Sequence, residues 1–64
     1  MNRNEETRRR LKAYIAEFGT PLATIARATG HGENRSLFSR FMRGKDLWED
    51  SLNRIDDYLS KKGF

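Results

Sequence analysis

The stretch ATGHGENRSLFSRFMRGKD, Ala28 to Asp46, decides how the chain is read. Two glycines, Gly30 and Gly32, sit in a polar turn, and after them Arg and Ser are interleaved with large apolar residues. At about 100° per residue, setting Arg35 at zero places Ser39 at about 40°, Arg43 at about 80°, Ser36 at about 100° and Arg40 at about 140°. Leu37, Phe38, Phe41 and Met42 fall between about 200° and 340°, so the two sets do not overlap. One half of such a helix can anchor in a core while the other presents guanidinium groups and small hydroxyls. Asn34 is the expected N-cap and Gly44 the expected stop.

The same punctuation extends outward in both directions. Upstream, Thr20 as N-cap and Pro21 at the first helical position open a short helix. Its Leu22, Ile25, Ala26 and Thr29 share one face, and Gly30 stops it. A longer helix precedes it, from about Asn4 to Phe18, with Asn4 as N-cap and Glu5 and Glu6 in the first turn, where the helix dipole favours negative charge. Its Leu11, Ile15 and Phe18 repeat at helical spacing with Tyr14 beside them, and Gly19 ends it. Downstream, a fourth helix begins between Trp48 and Ser51 and ends near Lys62. It buries Leu52, Ile55 and Leu59, has Tyr58 at the margin, and closes at Gly63 with Lys61 and Lys62 suited to its C-terminal dipole. Strand signals are nearly absent: there is no valine and no alternating β-branched or aromatic run. The fold class read from this is all-α, a compact bundle of four short helices forming one domain over residues 1–64.

With 64 residues, a chain buries only about 60% of the surface it exposes when unfolded. Disulfides cannot reinforce the thin core, because there is no cysteine, and with one histidine a zinc site would have to be built from carboxylates. No metal or cofactor is expected. The cysteine count fits a reducing compartment, no run approaches the roughly 18 apolar residues of a membrane span, and MNRNEETRRR is not a secretory signal. A cytoplasmic protein is the expectation. Net charge is +4, but residues 1–45 carry 10 basic and 4 acidic side chains while residues 46–64 carry 3 basic and 5 acidic. The positive excess therefore belongs to the first three quarters of the chain, as expected for a polyanion partner.

An α-helix fits the DNA major groove, and Arg matches guanine O6 and N7 through a bidentate contact. A short helix, a turn and a second helix with a basic face make a helix-turn-helix, in which the second helix reads the bases. Here the sequence resembles the lambda-repressor-like, or Xre and Cro type, helix-turn-helix family of phage and bacterial regulators. The resemblance rests on LATIARATG for the first helix of the motif, LFSRFMRGK for the recognition helix and its exit, and SLNRIDDYL for the packing helix that follows. Ala26 stands for the family's small mid-helix residue and Gly30 for its turn glycine. Phe38, Ser39, Arg40, Phe41, Met42, Arg43 and Gly44 meet its pattern of apolar, Ser, Arg, apolar, any, basic, Gly. The turn GHGENR is about two residues longer than the family's, which leaves the facial pattern intact.

The resemblance implies a sequence-specific double-stranded DNA-binding regulator, a phage or mobile-element type repressor acting as a homodimer. It further implies DNA contacts from Asn34, Arg35, Ser36, Ser39, Arg40 and Arg43; the helical wheel selects the same residues apart from Asn34. Thr20, the free N–H groups after Pro21, and Lys45 are phosphate candidates.

Plainer readings stand beside these. Arg and Ser opposite an apolar stripe are often only a solvated face, although no acidic residue occurs from Asn34 to Lys45. The basic run Thr7 to Lys12 spreads around a helix and reads as solvated. His31 reads as structural or as a backbone-phosphate contact rather than as a pH switch. Trp48 is expected to cap the core beneath helix 3, the other reading being a dimer contact by Trp48 or Phe64. Catalysis, and with it a small-molecule substrate, is not expected, since an enzyme needs convergent polar groups in a sheltered site. The competing functions are a helical interaction module or inhibitor that places the basic helix on an acidic partner, and a sequence-tolerant nucleic-acid binder.

Overall fold

The computed structural model describes residues 2–32 and 35–64, with Arg35 described in its backbone only. Four helices follow one another, α1 Arg3–Phe18, α2 Leu22–Ala28, α3 Arg35–Met42 and α4 Glu49–Lys61, and no strand occurs among the described residues. The all-α architecture of four helices in a compact globule is therefore present. Asn34 and its expected N-cap role lie outside the described residues, as does the Arg35 side chain.

Each helix stops at its glycine. α1 ends on Gly19, whose N–H donates to the Ile15 carbonyl at 2.7 Å. The other three close with the paired bonds of a Schellman motif. At α3, the Gly44 N–H donates to the Phe41 carbonyl and the Lys45 N–H to the Arg40 carbonyl. This geometry requires a positive φ, which at Gly44 is 122°, a region L side chains rarely enter.

The helix starts differ from expectation by one or two residues. Asn2, not Asn4, caps α1, its side-chain oxygen accepting from the Glu5 N–H at 2.9 Å. Asn4 sits in the first turn and accepts the Leu47 N–H at 2.7 Å, tying the loop before α4 to α1. Thr20 does not cap α2, and among the described residues no side chain hydrogen-bonds the helix start. Pro21 takes the cap position in extended conformation, and its carbonyl accepts from the Thr24 and Ile25 N–H groups.

The core gathers Leu11 and Tyr14 of α1, Ile25 and Ala26 of α2, Phe38 and Phe41 of α3, Leu47 of the following loop, and Leu52, Ile55 and Leu59 of α4. α1 packs chiefly on α4, α2 on α3, and α1 also touches α3. α1 and α4 run in the same direction: Arg3 meets Asn53 and Asp56, Thr7 meets Asp56, and Tyr14 meets Tyr58 and Phe64. Burial pushes the Tyr58 phenol up to about 12, so it stays protonated 3.4 Å from the Tyr14 oxygen.

Two apolar expectations are corrected. The buried stripe of α1 runs through Thr7, Leu11 and Tyr14, while Ile15 is partly buried and Phe18 is 56% exposed. Thr7 holds its place because its hydroxyl donates to Asp56 at 3.1 Å, which satisfies the polar group that burial would otherwise penalise. Trp48 does not cap the core: it is 86% exposed, and Leu47 is the residue of that loop that turns inward.

Phe38 and Phe41 are fully buried. Phe38→Ala should cost about 3 to 5 kcal/mol in a urea unfolding series, close to the whole stability of a domain this size. A variant that unfolds at the parent's midpoint would show that α3 does not depend on this ring.

Candidate nucleic-acid interface

α3 is eight residues long, too short to persist alone in water, so tertiary contacts must hold it. Phe38 and Phe41 anchor it from beneath, with Leu37 and Met42 half-buried at the two edges of the apolar face. Those edges are where the wheel put them, and the opposite side carries exposed Ser36 and Arg40 with half-buried Ser39. Arg43 lies in the turn just beyond the helix, exposed, its N–H donating to the Arg40 carbonyl at 3.0 Å. The Schellman closure carries Arg43 and Lys45 onward from the same end. Ser36, Ser39, Arg40 and Arg43 are thus brought to one surface, with Lys45 beside it. Thr20 is half-buried, two residues before α2.

The run Thr7 to Lys12 is not simply solvated. The Arg8 side chain is only 11% exposed. Its Nε donates to the Phe41 carbonyl, its Nη2 donates to the Lys45 carbonyl at 3.0 Å, and its guanidinium lies 4.6 Å from the centre of the Phe41 ring. One side chain thereby adds a charged donor to the Phe41 carbonyl, which the Gly44 N–H also bonds, and pins the exit turn through the Lys45 carbonyl. Arg10 pairs with Asp56 at 3.0 Å and Arg3 with the same carboxylate at 3.1 Å. Arg9 and Lys12 remain exposed.

His31 is a strut between the turn after α2 and the start of α4. Its Nδ1 lies 3.0 Å from Thr29 Oγ1 and its Nε2 lies 3.0 Å from Ser51 Oγ, with the ring edge-on to Phe38. The Thr29 hydroxyl donates its single hydrogen to the Ile25 carbonyl at 2.9 Å. That assigns the imidazole proton to Nδ1, leaving Nε2 to accept from Ser51. Burial, then the neighbouring Arg54, holds His31 below its ordinary value of 6.5, against a smaller opposing pull from Asp50. Gly30 stands next to this strut at φ 83°, where a Cβ would meet Arg54 Nη1 at 2.9 Å.

Ion pairing divides the surface. All five carboxylates of residues 46–64 face a cation: Asp46 with Arg8, Glu49 with Arg3, Asp50 with Arg54, Asp56 with Arg3 and Arg10, and Asp57 with Lys61. Arg40 and Arg43 have no carboxylate partner among the described residues. Individually these surface pairs are weak; their effect here is to decide where positive charge is left over.

Among the described residues no group of three or more His, Cys, Asp or Glu is placed to hold a metal ion, and no helix is long and apolar enough to cross a membrane. No family model matches the chain, and no curated protein or solved structure is significantly similar to it.

Two measurements check this geometry. Arg8→Met keeps the stem but leaves the Phe41 and Lys45 carbonyls without their charged donor; it should cost about 1.5 to 3 kcal/mol of stability, and a loss below about 0.5 kcal/mol would mark the contact as incidental. For His31, the depressed folded value means the unfolded chain binds the extra proton first. Its contribution is present above pH 6.5 and is lost as pH falls through that value toward the folded one. The parent should therefore lose more stability than His31→Gln between about pH 7 and pH 5, and parallel curves would remove the imidazole from the account.

Proposed function

We propose that this chain is a sequence-specific double-stranded DNA-binding regulator that inserts α3 in the major groove. The observation that carries the reading is the guanidinium pair of Arg40 on α3 and Arg43 just beyond it, without a carboxylate partner among the described residues, beside Ser36 and Ser39 of a helix whose other face is held in the core. Arg offers a fork of donors for guanine, and Ser lets the helix axis come close while donating to a base edge or a phosphate. α2, the turn and α3 serve as the helix-turn-helix, with the first N–H groups of α2 toward the phosphate backbone. α4, its carboxylates already neutralised, forms the face turned from DNA.

The Cα trace spans 24 × 24 × 19 Å, shorter than the about 34 Å between successive major-groove faces on one side of DNA. One copy reads one half-site, and a homodimer reads an inverted repeat. Repression follows by occupancy of the operator, since steric exclusion of polymerase needs only binding.

Selection of genomic fragments on the purified chain, followed by anisotropy titrations of the best site and a scrambled control, tests this. An inverted repeat preferred by at least about 10³-fold is expected. Arg40→Ala and Arg43→Ala should each weaken that binding by about 1 to 3 kcal/mol with an unchanged helical circular dichroism spectrum. Equal affinity for site and scramble would refute sequence reading, and no binding at low salt would assign the basic helix to a protein partner.

A further inference from the structure

Trp48 is 86% exposed, although the backbone that carries it is firmly held. The preceding residue, Leu47, is in the core and donates its N–H to Asn4, the Lys45 carbonyl is bound by Arg8, and α4 begins at the next residue, Glu49. A large amphipathic ring on a fixed backbone loses little conformational freedom on binding, which suits it to be an anchor in an interface. Its surroundings say what kind of partner. Trp48 and Lys45 line one open groove of about 350 Å³ with Asp46 and Leu47. The carboxylates that flank the ring each face a guanidinium, Asp46 at 3.5 Å from Arg8, Glu49 at 3.7 Å from Arg3 and Asp50 at 3.3 Å from Arg54. Lys45 and Arg43 have no carboxylate partner among the described residues, so the margin of the groove toward α3 is net cationic. Four residues of chain lie between Arg43 and Trp48, so the two backbones are at most about 18 Å apart.

We propose that Trp48 and Lys45 form a contact for the sugar–phosphate strand that borders the α3 site. The indole ring lies against a deoxyribose, its Nε1–H donates to a phosphate oxygen, and the Lys45 ammonium pairs with a neighbouring phosphate. This rests on reading α3 as the helix that enters DNA, and it makes Trp48 a binding residue rather than a core or dimer residue.

Trp48 is the single tryptophan of the chain, so its emission reports its own surroundings. The full chain is titrated into a fluorescein-labelled duplex carrying the selected site. Anisotropy of the label follows binding, and Trp48 emission with acrylamide quenching follows the ring. The expected result is a change in emission with the same midpoint as the anisotropy and a several-fold fall in acrylamide access. Trp48→Ala should weaken binding by about five- to tenfold, the low end for aromatic contacts to nucleic acid, with an unchanged melting curve because the ring is exposed. Trp48→Phe should recover part of that loss, and Lys45→Ala should lower the slope of log K against log salt by about one. DNA binding with Trp48 emission and quenching at their free values would overturn the contact and leave the reading of α3 standing. Absence of DNA binding would overturn both. Shielding of Trp48 that grows with protein concentration alone would give the ring to a second copy of the chain instead.

Discussion

The contact on which the display surface depends is the Arg8 guanidinium against the end of α3. A helix of eight residues has no independent stability, and its last carbonyls are left unsatisfied by the helix itself. Arg8 reaches across from α1 to the Phe41 and Lys45 carbonyls and lies over the Phe41 ring. It places a cation where the helix dipole is negative and covers the side of a core residue with its apolar stem. Asn4, one turn earlier on α1, holds Leu47 in the same way. Together they fix the direction of the chain leaving α3, and so the places of Arg43, Lys45 and Trp48.

Charge is arranged by the same packing. α1 and α4 run side by side, which brings Arg3 and Arg10 to Asp56 and Arg3 to Glu49. Three of the basic residues of α1 are spent on carboxylates of the acidic end of the chain, while Arg9 and Lys12 on α1 stay exposed, as do Arg40, Arg43 and Lys45 on α3 and its exit. A pair such as Arg40 and Arg43 can act on a phosphate or a base edge because no carboxylate of the described residues competes for it. Phe38 and Phe41 beneath tie that surface to the core.

Much of this architecture could be read along the chain. The glycines after each helix mark stops because a left-handed residue is needed there and only glycine takes it cheaply. The two faces of α3 were legible because they depend on spacing inside one element. Helix starts were less so. Asn2 and Asn4 are both good caps, and only the approach of Leu47 decides that Asn4 is occupied elsewhere. Thr7 reads as a surface residue until Asp56 arrives to accept its hydroxyl, and Phe18 reads as core until the stripe through Thr7, Leu11 and Tyr14 proves to be the buried one.

Leu47 and Trp48 show the limit most clearly. Adjacent, apolar and in a loop without period, they carry no sequence signal for which one turns inward, and hydrophobicity alone favours the larger ring. The backbone decides, because the hydrogen bond from the Leu47 N–H to Asn4 fixes the loop with Leu47 facing the core. Arg8, Arg9 and Arg10 are likewise indistinguishable in sequence, yet one ends α3, one is exposed and one pairs with Asp56. The sequence by itself determined the number of helices, where each stops, and that α3 has one apolar and one basic face, since these follow from residues within a few positions of one another. Only the tertiary structure decided which charges are neutralised and which aromatic ring is left in water, since those depend on which distant carbonyl or carboxylate comes within hydrogen-bonding reach.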